Sequence, residues 1–470
     1  MSTLPVISDP KTTQAEFQIG YIWVALATAV FAGFAIGAHL AFIIGFDFSL
    51  GRGFAGLVQT HGHVQLVGWA GLFMIGISLH IIPRLASVPI ANPRWIPRIL
   101  WLMAGGLLLR SLAHPTLAYR GESAFGYWAV VGSGLLEWGG VGIYVTLLLR
   151  TLRGVRDAKR QPALLSVRPF FATMLAGWML YASINLLLLF DMAWRGDVVM
   201  DPAWNQFDIE IFIGLVLLPV AFAFSSRMLP LYLALRAPDW PVRGTAYAYV
   251  VSLAVQVIPS IPLVSGLDPE VARIVSSLGS LLKGGVILWF VWQLDILTRC
   301  WDAWTVKREV APLPDKRPAR WGLPDYGEFG RFERLVYAAY TWLVLAALFE
   351  MLVGGASLLG NPLPIATDAI RHMVLLGFIT HLIFGVSVRV IPGLLKKRCV
   401  ASVRLVDATF WLGSTAAACR VLPLLAPSSL IDAVPGSALI AQAAFGFSGM
   451  IGLVAVTCLA MNLWKTAVAE

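Results

Sequence analysis

At 470 residues, with 58% hydrophobic and only 13% charged side chains and a mean hydropathy of +0.76, the chain is too apolar for an ordinary soluble domain. Its net charge of +9 would suit nucleic acid, but the basic residues are sorted by loop and form no patch. That sorting excludes a nucleic-acid role and reads as a topology signal in a lipid bilayer.

In chain order, the first 18 residues are polar and carry no cleavable-signal pattern, so the first apolar run is expected to stay as an anchor. Twelve apolar runs follow, centred near residues 34, 73, 106, 140, 181, 220, 255, 284, 343, 382, 416 and 451. Each is long enough to cross a ~30 Å hydrocarbon core. Lys and Arg gather in alternate loops. Arg84, Arg94 and Arg98 lie between runs two and three, and Arg150, Arg153, Arg156, Lys159, Arg160 and Arg168 between four and five. The opposite loops hold Arg52, Arg120, Arg195, Arg273 and Arg371. This asymmetry predicts a multi-pass protein of the bacterial cytoplasmic (inner) membrane with both termini cytoplasmic. The longest interruption, 298–328, contains Pro312, Pro314, Pro318 and Pro324 among charges and reads as an extended cytoplasmic linker. Cys300, Cys399, Cys419 and Cys458 have neither metal nor redox spacing, so no disulfide and no thiolate site is expected.

One motif recurs along this array. His63-Val-Gln-Leu66-Val-Gly68 leads to Gly76-Ile-Ser78 and Pro83, and His372-Met-Val-Leu375-Leu-Gly377 leads to Gly385-Val-Ser387 and Pro392 at the same offset throughout. A fainter copy ends Ser225-Ser226-Arg227-Met-Leu-Pro230, with Glu210 where the histidines stand. The copies fall on every fourth helix, namely the second, sixth and tenth. The expected fold is therefore all-α, with twelve transmembrane helices in three four-helix units (about 19–152, 168–297 and 329–464) in pseudo-threefold arrangement, the repeated helices facing inward.

Ionisable side chains inside a membrane are costly and usually functional. With the topology above, His61, His63 and His372 lie at the outer ends of repeated helices, and His39 and His114 fall in the same leaflet. His61 and His63, two apart on a helix, point roughly 200° away from each other. They serve two sites on opposite flanks, or one ligates while the other hydrogen-bonds, and Gly62 leaves a face open for a flat cofactor. A neutral imidazole is the common ligand of heme iron, copper and zinc. For each histidine the alternative is a hydrogen-bonded packing role. His381 lies about 13 Å below His372, and His80 stands where Arg227 and Arg389 stand in the other copies, as a basic anchor. Of the membrane carboxylates Glu137, Glu210 and Glu350, Glu137 is either a proton-relay group or the partner of Lys283.

His61-Gly-His63 through Gly68, Arg227 with Pro230, and His372 through Gly377 resemble the motifs of the NnrS family of twelve-helix bacterial membrane proteins. Val64 and Leu375 depart from that family's pattern. The resemblance implies a heme- and copper-containing protein of the nitric-oxide response. It makes His61, His63 and His372 cofactor ligands, with nitric oxide as a small-molecule ligand; His39 and His114, placed in the same leaflet, are further metal candidates. The segment His61 to Trp69 is also similar to the heme-ligating helix of heme-copper oxidase catalytic subunits. No His-Pro-Glu-Val-Tyr-like segment and no His-His pair accompany it, so an oxidase-type dinuclear centre is not expected. Two other roles fit a twelve-helix chain with internal repeats: a secondary transporter, or a non-catalytic partner of a respiratory oxidase.

Overall fold

The structure, a computed structural model, describes residues 16–119, 124–155, 161–261, 266–303, 327–426 and 434–469. Most of the expected linker, residues 304–326, lies outside the described residues, as do Arg156, Lys159 and Arg160. The regular elements are helices throughout, as expected where no water can satisfy a backbone amide in lipid. They are α1 (Gly20–Gly45), α2 (Phe54–Leu85), α3 (Trp95–Tyr119), α4 (Ala124–Arg153), α5 (Pro162–Arg195), α6 (Pro202–Leu233), α7 (Val242–Val257), α8 (Pro269–Leu294), α9 (Phe332–Leu358), α10 (Thr367–Leu394), α11 (Val403–Leu425) and α12 (Ser437–Val468). Every expected centre falls inside one of them. Eleven are long and apolar enough to span a bilayer. The seventh is the exception to the expected twelve. It runs 16 residues and tightens into a 3-10 turn over Ile258–Ser260, where Pro259 has no amide with which to continue the ladder. The chain is therefore an all-α integral membrane protein.

The ring of Trp23 lies 5.8 Å from that of Trp464, so α1 begins at the same end of the bundle where α12 finishes. The loops at the opposite end form what is here called the far end. The three helices carrying the repeated motif are the most enclosed: 89% of the apolar window of α2, 72% of α6 and 78% of α10 is buried, against 56% at most elsewhere. They share a second feature. Each widens into a π-helical stretch just after its His or Glu position: Val64–Gly71 after His63, Phe212–Leu217 after Glu210, and Met373–Thr380 after His372. Such wide turns are rare and cluster at functional sites. A fourth, Ala29–Gly33, lies in α1.

Small residues set the helix spacing, as usual where packing rather than hydrophobicity drives association. A Cβ on Gly279 of α8 would lie 2.3 Å from the backbone nitrogen of Gln256 on α7, whereas one on Gly285 would meet nothing within 4 Å. Gly279→Val is expected to force the two helices apart and cost about 1–3 kcal/mol or more. Gly285→Val should be close to neutral. Thermal unfolding of the two variants in detergent checks the contrast.

Candidate cofactor site

A cavity of about 430 Å³ opens between α1, α2, α10, α11 and α12 toward the far end. Its walls are apolar (Phe34, Leu66 and Trp69 among them), and two imidazoles, His61 and His372, enter it. His61 is fixed by its Nδ1, 2.9 Å from the carbonyl of Gly33, the residue that closes the π-helical stretch of α1. Gly37 makes room for the ring, since a Cβ there would stand 2.5 Å from His61 Cε1. His372 is fixed one turn back on its own helix, with Nδ1 2.8 Å from the Asp368 carbonyl and 3.3 Å from its carboxylate. In both rings Nδ1–H donates to a carbonyl, which leaves Nε2 as a lone pair. A ligating histidine is commonly oriented in this way. Gly62, between His61 and His63, faces the cavity, and a Cβ there would meet nothing within 4 Å.

The cavity rim is charged. Arg371 donates from Nε and Nη2 to Glu210 Oε1 (3.1 and 2.8 Å), tying α10 to α6. Arg420 of α11 rests over the Phe445 ring at 4.2 Å and reaches Asp368 Oδ2 at 3.4 Å. Deeper in, Trp69 Nε1–H points to Thr380 Oγ1 at 3.4 Å, and that hydroxyl donates to the Leu375 carbonyl within the wide turn of α10.

His63 lies on the opposite flank of α2 and faces away from this cavity. Its Nδ1 is 3.0 Å from the Tyr181 hydroxyl and its Nε2 2.8 Å from Glu137 Oε2. The ring is thus turned toward Tyr181 and Glu137, although the Nε2 contact lacks hydrogen-bond geometry, and the imidazole that shares a cavity with His372 is His61. The reason is angular: the two positions are about 200° apart on the helix, so only one can face α10. His114 is buried near Arg110, on the His63 side. His39 is exposed on the outside of α1. His381 is enclosed, with Nδ1 2.9 Å from the Leu376 carbonyl and Nε2 3.4 Å from Ser414. His80 stacks edge-on to Phe17. Glu137 does not meet Lys283, which instead pairs with Glu350 at 2.6 Å. Among the described residues, no three His, Cys, Asp or Glu side chains gather into a metal-holding group.

Sequence reasoning passed over Arg110, Tyr181, Asn185, Asp208 and Arg420. Two of them left a usable signal: Arg110 and Arg420 are basic residues inside apolar helices and away from the basic loops, where charge is costly.

No family model matches the chain, and neither does any curated protein. Among solved structures it resembles a chain of a heme-copper terminal oxidase dimer determined by cryo-electron microscopy. The TM-score is 0.61 and the identity 11%, over 96% of this chain and 83% of that one. The protein thus has the heme-copper oxidase type of membrane fold.

Proposed function

We propose that this protein binds one heme in the cavity between α2 and α10, where His61 and His372 would hold its iron, and works beside the respiratory chain as a non-catalytic relative of the oxidases. The observation that carries the reading is the pair of imidazoles in one cavity, each with Nδ1 committed to a carbonyl and Nε2 left with its lone pair. The open face at Gly62 admits a flat macrocycle. Phe34, Leu66 and Trp69 give it an apolar wall. Arg371 and Arg420 stand at the rim, where carboxylate substituents would be met. Bound there, heme supplies one-electron exchange. The chain's own part is to hold two rings in fixed tautomers against an apolar wall.

The likeness to an oxidase chain favours this respiratory role over transport. The nitric-oxide response of the NnrS family is the finer reading. Its entry point would be His372, whose side chain is 20% exposed. Copper does not extend the proposal, because His39, His61, His63 and His114 do not converge. The three units (19–152, 168–297 and 329–464) in pseudo-threefold arrangement are supported by the matching wide turns of α2, α6 and α10. The loop charges support cytoplasmic termini.

The test is the visible spectrum and iron content of the full chain purified in detergent from a heme-sufficient host. One low-spin heme per chain is expected. A colourless, iron-free protein that also fails to take up added hemin overturns the proposal.

A further inference from the structure

On the other flank of α2, a second group of polar side chains is sealed inside the bundle. Its members by helix are Gln59 and His63 on α2, Arg110 and His114 on α3, Glu137 on α4, Tyr181 and Asn185 on α5, and Asp208 on α6. Gln59 is half-buried, and the other seven are all buried. Arg110 is fully enclosed, and its charged and ionisable neighbours are Glu137, Tyr181 and Asp208. Yet Nε and Nη1 of that guanidinium make no hydrogen bond among the described residues, nor do Glu137 Oε1 and Asp208 Oδ1. So many orphaned polar atoms in one buried place call for bridging water. A small enclosed cavity bordered by Glu137, Tyr181 and Asn185 is of one-water size.

The charges do not balance pairwise. Glu137 has His63 at 2.8 Å. Asp208 has one hydrogen-bond partner, the neutral Asn185 Nδ2 at 3.3 Å, and Arg110 stands near it without forming an ion pair among the described residues. A buried carboxylate served by one long neutral hydrogen bond is far more costly than a carboxylic acid. The chamber also has a lid. Gln59 and the backbone of Met200 exchange two hydrogen bonds of 2.9 Å, and Met200 Sδ accepts from Arg110 Nη2 at 3.5 Å. Met200 lies in the far-end loop between α5 and α6 and is itself buried.

We infer that this chamber is a proton-holding site: Asp208 carries a proton at neutral pH, water links it to Arg110 and Glu137, and the proton exchanges with the far-end solvent through the Gln59–Met200 seam. Releasing the proton leaves the carboxylate facing Arg110 through water. Taking it up restores the neutral acid, and no electron moves. The inference uses no residue of the cofactor cavity and does not depend on heme.

Infrared spectroscopy of the full chain in lipid reads it directly, because a protonated carboxyl gives a separate carbonyl stretch that shifts in D₂O. Such a band is expected in the wild type at neutral pH. It should be lost in Asp208→Asn, displaced in Asp208→Glu and retained in Glu137→Gln. Gln59→Ala should speed its deuterium exchange at least several-fold. If the wild type shows no such band, or if a band survives Asp208→Asn unchanged, the site is not what is inferred here. Should Asp208→Asn fail to fold, Asp208→Glu decides, since an undisplaced band refutes the assignment. Exchange unaltered by Gln59→Ala overturns the seam as the route.

Discussion

Replacing Glu350 by leucine is expected to remove about 3–5 kcal/mol of stability, the largest effect of any single change outside the cofactor cavity. Lys283 is buried at the middle of α8, and its ammonium lies 2.6 Å from Glu350 Oε1 on α9. Gln256 of α7 donates to the same oxygen and to Ser280. Three helices thus converge on one carboxylate. Removing it strands a cation in a medium that cannot solvate it, and an unpaired buried charge costs much more than an intact pair contributes. The double variant Lys283→Met/Glu350→Leu should regain most of the loss, because both charges leave together and the methionine stem fills much of the same volume. Thermal unfolding in detergent, with and without the second change, measures the effect. A Glu350→Leu protein as stable as the wild type would mean that the pair is reached by water.

The second large effect separates two histidines that are neighbours in sequence. His61→Ala or His372→Ala should each abolish the low-spin heme spectrum, since either change removes one of the two imidazoles that would hold the iron. His63→Ala should leave that spectrum in place, because its ring faces Glu137 and Tyr181 and not the cavity. It should instead lower stability by about 1–3 kcal/mol, the cost of leaving Glu137 and Tyr181 without their shared partner. Spectra and unfolding curves of the three variants give opposite patterns. A His63→Ala protein that loses its heme while His61→Ala keeps it would return the ligand role to the residue picked out by the repeat.

The helices were legible because a membrane span is written in hydropathy alone, and each expected centre lies within one. The inward placement of α2, α6 and α10 was legible from the motif they share. The pairing of side chains was not. An ungapped comparison matches His372 with His63, but the cavity unites it with His61. Periodicity reports the angle between two positions on one helix and is silent on which flank meets a neighbour. Lys283 illustrates the same limit, since the sequence offered Glu137 as its partner and the structure pairs it with Glu350. Arg110 went unused because basic residues were weighed by loop, and it stands inside a span. Asp208 went unused because it sits two residues from Glu210, which the repeat picked out.

The wide turns at Val64–Gly71, Phe212–Leu217 and Met373–Thr380 have a consequence for descent. A π turn of this kind corresponds to a single surplus residue absorbed without breaking the helix. Relatives could therefore gain or lose one amino acid at these places while keeping every loop length, turning the segment beyond by about 100°. Ancestral kinship among such chains would then be sought by superposing imidazoles in space, not by matching letters in a column.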